Sequence, residues 1–69
     1  MIKRIDATKM REICKYLTAH GWTIAEISRE TEIPYSTVWQ IANNINPTCR
    51  RETMGRFLDV APSMLEVTR

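Results

Sequence analysis

The sequence predicts an all-α fold, a compact bundle of four to five short helices, on three grounds. Apolar residues recur at three- and four-residue intervals in successive segments, as on a helix with one buried face. Gly21, Pro34, Pro47 and Pro62 punctuate those segments, so each helix must be short. No stretch shows the strict alternation of a half-buried strand. With 69 residues and 8.1 kDa, the chain has room for one domain. It divides into a basic N-terminal arm over residues 1–5 and a single helical domain over residues 6–69.

The first helix is expected over about residues 7–19. Asp6 can cap it by accepting from backbone amides one turn on, and Ile5 and Met10 have the spacing of a hydrophobic staple. Met10, Ile13, Cys14 and Leu17 then form one face. Gly21 stops the helix, because glycine takes the left-handed conformation at little cost. The next start is marked more completely. Thr23 and Glu26 make the S/T-x-x-E capping box, with Trp22 and Ile27 at the staple positions. This second helix, about residues 24–31, buries Ile24, Ile27 and Thr31. Pro34 cannot continue it and instead opens a third helix.

The third helix, about residues 35–44, turns Val38, Ile41, Ala42 and Ile45 inward. By the 100° helical step, Ser36, Trp39, Gln40 and Asn43 face outward, with Tyr35 and Thr37 on the flanks. After Asn46-Pro47, Thr48 or Arg50 begins a fourth helix that runs to about Val60, with Met54, Phe57, Leu58 and Ala61 inward. Pro62-Ser63 is expected to break it. Met64, Leu65 and Val67 would then end the chain in a short helical turn or an extended tail.

At 43% hydrophobic and 26% charged, the composition is that of a folded domain. No apolar run is long enough for a membrane span or a signal-peptide core, and a cytoplasmic location is expected. Cys14 and Cys49 lack any C-x-x-C or H-x-x-x-H company, so both are read as reduced thiols and no metal is expected. Asp6, Glu12 and Asp59 include no pair spaced for acid–base work, and no nucleophile–base set appears. The chain is therefore not read as an enzyme, and neither a cofactor nor a small-molecule ligand is expected.

The net charge of +2 permits a polyanionic partner without requiring one. Its distribution is more informative. Lys3, Arg4, Lys9, Arg11 and Lys15 outnumber Asp6 and Glu12 in the first third. Arg29 is outnumbered by Glu26, Glu30 and Glu32 in the middle, and Arg50, Arg51, Arg56 and Arg69 return the excess to basic at the end. Between Glu32 and Arg50 there is no charge at all.

Two short helices joined by a tight turn, the second with a polar, uncharged outer face, outline a helix-turn-helix. The stretch Ile24–Ile41 resembles the lambda-repressor-like, Cro-type (XRE) family of bacterial and phage regulators. The match rests on Ile24, Ile27, Ile33, Val38 and Ile41, and on the Ile-Pro-Tyr-Ser-Thr-Val run from Ile33 to Val38. Asn46-Pro47-Thr48 and the Met54, Phe57, Leu58 helix extend the resemblance over residues 6–66. Two positions depart from it: Ser28 stands where the family usually has alanine, and Glu32 where it prefers a glycine in the turn.

The resemblance implies that the third helix enters the major groove of double-stranded DNA amino end first. Tyr35, Ser36 and Gln40, with Thr37 and Trp39 beside them, would then touch base edges. The chemistry of the side chains agrees, because Gln40 can pair bidentately with adenine and Ser36 can donate to or accept from any base. Phosphate contacts are expected from Arg50 and Arg51, from Thr23 at the start of the second helix, from Asn43, and from Lys3 and Arg4 of the arm. Met64, Leu65 and Val67 are either the cap of the bundle's own core or the interface of a homodimer on a palindromic operator. The implied function is a small Cro-like repressor of phage or mobile-element type. The competing reading is a protein-interaction module, an antitoxin or host-factor inhibitor, that binds through exposed Tyr35 and Trp39.

Overall fold

The computed structural model describes residues 4–45 and 47–67. In chain order these form β1 (Arg4–Asp6), α1 (Thr8–Ala19), α2 (Ile24–Thr31), α3 (Tyr35–Ala42), β2 (Thr48–Arg50) and α4 (Arg51–Glu66). The helices dominate, as the spacing of apolar residues requires. Lys3 of the expected arm and Arg69 lie outside the described residues.

The N-terminal segment departs from the expectation. Residues 4–6 are not an arm but a strand, antiparallel to β2 in the register Arg4↔Arg50, Ile5↔Cys49 and Asp6↔Thr48. Alternation puts Ile5 and Cys49 toward the core, where Cys49 is buried, and leaves Arg4 and Arg50 exposed on the other face. Three residues per strand is too short a pattern to read in a sequence, and the partners are far apart along it. Asp6 belongs to β1, and Ala7 is the N-cap of α1. The Asp6 carboxylate still serves the helix start, accepting from the Thr8 amide at 2.9 Å and the Thr8 hydroxyl at 2.6 Å. Those two bonds hold its carboxyl below the usual carboxylate range.

Each turn follows from local chemistry. At the end of α1, Gly21 adopts φ 96°, and the Gly21 and Trp22 amides return to the carbonyls of Thr18 and Leu17. Thr23 and Glu26 form the reciprocal capping box at the start of α2. At the far end of α2, Glu32 takes the left-handed conformation at φ 57°. After α3, Asn44 does the same at φ 58°, and the Ile45 amide reaches back to Gln40 at 2.8 Å. This reversal throws Ile45 outward, 59% exposed, where the helical step alone predicted it inward.

α4 is the largest correction. It runs 16 residues, straight through Pro62, instead of ending near Val60. Proline removes one donor from the helix ladder, but its ring sits on the exposed side, and the flanking core residues hold the helix together. Met54, Phe57, Ala61 and Met64 point inward, while Leu58, expected inside, is exposed. Fully buried Phe57 shares the core with Met10, Cys14, Leu17, Ile27, Val38 and Ile41, so α4 completes the core begun by α1, α2 and α3. Among the described residues no buried side-chain polar atom lacks a hydrogen bond, and no helix is long and apolar enough to cross a membrane.

Candidate nucleic-acid interface

α2 and α3 pack directly on each other, and Glu32, Ile33 and Pro34 make the turn between them. Ser28 is more than a small spacer here. Its hydroxyl donates to the Ile33 carbonyl at 2.5 Å, and its own carbonyl accepts from the Ile33 amide at 3.3 Å. A serine at this position therefore ties α2 to the turn, where an alanine would only allow close approach. Buried Thr31 is satisfied within α2, its hydroxyl donating to Ile27 at 2.7 Å.

With Val38 and Ile41 buried, α3 presents Tyr35, Ser36, Trp39 and Asn43 outward. Tyr35 is 53% and Trp39 42% exposed, so neither aromatic ring is core. Gln40 is half-buried on one flank. Tyr35, Ser36, Trp39 and Gln40 are thus brought together on one uncharged face. Thr37 is set back from them: it lies one turn before Gln40 on the same flank, half-buried, and lines a cleft with Arg4, Pro34, Arg50 and Thr53. Asn43 donates its side-chain amide to the Trp39 carbonyl at 2.9 Å, capping the last turn of α3.

Two cations, Arg4 and Arg50, lie beside the start of α3. Arg50 ends β2 and Arg51 begins α4, both exposed, and Arg4 stands opposite Arg50 in the strand pair. Arg4 donates through Nε and Nη2 to the hydroxyl and carbonyl of Thr48, each at 2.8 Å. It is held in place, where a reaching arm was expected. Thr23 is differently placed for an anion. Its hydroxyl donates to the Glu26 carboxylate at 3.2 Å, so the chain's own negative charge already sits at the start of α2. Thr53 was not foreseen, because only the strand pair brings it beside Arg4.

Of the expected dimer residues, Met64 is 2% exposed and belongs to the core. Leu65 and Val67 are exposed. The cysteines offer no reactive centre, since both are free and buried. Burial pushes the Cys14 thiol up to about 12. It also raises Cys49, against a partial opposite pull from the Arg4 charge. Among the described residues, no group of three His, Cys, Asp or Glu side chains is placed to hold a metal ion. No protein-family model, curated protein or solved structure matches the chain.

Proposed function

We propose that the chain is a sequence-specific DNA-binding regulator, of the small Cro-like repressor kind, in which α2 and α3 act as a helix-turn-helix. The observation that carries this reading is the exposed, uncharged face of α3 with Arg4 and Arg50 lining a cleft at its amino end. Neutral donors and acceptors can read base edges and cations can hold phosphates, so this arrangement suits a duplex. In this reading Ser36 and Gln40 hydrogen-bond to base edges, and Tyr35 and Trp39 pack against thymine methyl groups.

The test is a pair of affinities. An operator is first selected from a random duplex pool with the wild-type chain. Gln40→Ala should then weaken operator binding by about 1–3 kcal/mol and leave random-duplex binding nearly unchanged. Equal losses on both, or no loss, would remove α3 from the reading role.

The exposure of Tyr35 and Trp39 favours a second reading, a protein-interaction module, since aromatic anchors concentrate binding energy at protein interfaces. Salt separates the two. Duplex binding that weakens steeply and log-linearly with salt belongs to the first reading. Absence of duplex binding at low salt leaves the second.

A further inference from the structure

The cleft between the strand pair and the first turn of α3 brings two like charges together. Arg4 and Arg50 are direct partners in the antiparallel register, so their side chains share one face of the ribbon. Like charges directly opposite in a strand pair are destabilising. The packing of the ribbon comes from its other face, through Ile5 and Cys49. Arg4 is tied across the ribbon to Thr48, but among the described residues no bond to that strand requires a second cation at Arg50.

Both arginines line the same cleft of about 380 Å³, with Thr37, Thr53 and Pro34 and no acidic side chain. The Thr48 bonds fix the Arg4 guanidinium before any ligand arrives. Pro34 and Thr37 belong to the first turn of α3, whose positive dipole end therefore borders the cleft. Two arginines, two threonines and a helix start line one concavity. A tetrahedral oxyanion satisfies all of them and cancels the repulsion across the ribbon.

We infer that this cleft is a phosphate site, in which Arg4 and Arg50 hold a single phosphate between them and Thr37 and Thr53 donate to its oxygens. Its occupant rests on the reading of α3 given above: a backbone phosphodiester of the duplex, bound at the amino end of the reading helix. That phosphate fixes how α3 enters the groove, because Tyr35 and Ser36 leave the helix start immediately beside it. β1 thereby becomes part of the binding apparatus.

Two measurements test this. In the first, inorganic phosphate is exchanged for chloride at constant ionic strength, and the arginine Nε–H resonances of the wild-type chain are followed. Arg4 and Arg50 should shift with phosphate and Arg56 should not; equal shifts at all three, or none, overturn the site. In the second, random-duplex binding is measured across salt for the wild type and the Arg4→Gln/Arg50→Gln double variant, with folding checked by circular dichroism. One shared phosphate predicts a log–log slope flatter by about one unit. A loss of about two units assigns separate phosphates and overturns the shared site, as does an unchanged slope. Phosphate shifts in a chain that binds no duplex would instead refute the DNA occupant and leave a free phosphomonoester as the ligand.

Discussion

The indole Nε1 of Trp22 donates to the carbonyl oxygen of Val67 at 3.0 Å, joining the entry of α2 to the C-terminal end of α4. Trp22 carries three duties at once. Its amide closes the turn after α1, its position precedes the Thr23 cap, and its buried ring lines a small groove with Val60, Met64 and Val67. The bond also uses one of the carbonyls that a helix end leaves without an internal partner.

Trp22→Phe keeps an aromatic ring but removes the donor and some volume. Stability should fall by about 1–3 kcal/mol, from the lost hydrogen bond and the looser packing. Urea denaturation followed by far-ultraviolet circular dichroism measures it. Faster amide exchange in the last turn of α4 should accompany the loss; an unchanged midpoint would show that the two ends are not coupled.

Glu32 sits in a left-handed conformation that side chains other than glycine and asparagine resist. Glu32→Gly should therefore stabilise the chain by up to about 1 kcal/mol, the relief of strain being partly offset by the greater freedom of glycine when unfolded. Thermal denaturation should show a melting temperature higher by a few degrees. A lower one would mean that the glutamate side chain contributes more than its backbone strain costs.

Where side-chain chemistry is local, the fold could be read from the sequence. Thr23 with Glu26, Gly21 after Leu17, and Pro34 before Tyr35 each set a helix end within four residues of their own position, and the bounds of α2 follow from them. Pro62 misled because its effect depends on what surrounds it: Ala61 and Met64, buried on either side, keep α4 helical across it. β1 and β2 were illegible because neither has a pattern of its own; each becomes a strand only beside the other. For the same reason the sequence alone puts Arg4 in an N-terminal arm and does not single out Thr53. Tyr35, Ser36, Trp39 and Gln40 were readable as one face because a helix places them by sequence spacing alone.

The Cys14 thiol gives the chain an alkaline weakness. Its pKa is raised from 9.0 to about 12 because burial disfavours the thiolate. A raised pKa means that the folded state holds the proton more tightly, so this contribution is complete below pH 9 and is lost as pH rises toward 12. Over that window stability should fall by about 1.4 kcal/mol per pH unit from this group. Comparing urea midpoints of the wild type and Cys14→Ala between pH 8 and 11 isolates it. Parallel pH profiles would show that the thiol is not desolvated as described.

Burial of Met64 sharpens the question of self-association. With Met64 in the core and Leu65 exposed, Leu65→Glu should leave the helical content unchanged. If two copies pair through the end of α4 so as to span half-sites about 34 Å apart, the variant should sediment as a monomer where the wild type does not. A wild type that stays monomeric at high micromolar concentration and on a palindromic operator would contradict pairing.

The strand pair also imposes a schedule on folding. Arg4 and Thr48 are 44 residues apart, and closing a flexible loop of that length costs about 3 kcal/mol of chain entropy. Three short helices can form within that loop first and draw its ends together, where the Ala7 amide meets the Pro47 carbonyl at 2.8 Å. Loop entropy therefore makes the ribbon the expected late step. On a chain emerging amino end first, β1 waits without a partner until Thr48–Arg50 has been made. In that order, the basic cleft would be assembled only after the helix it borders is in place.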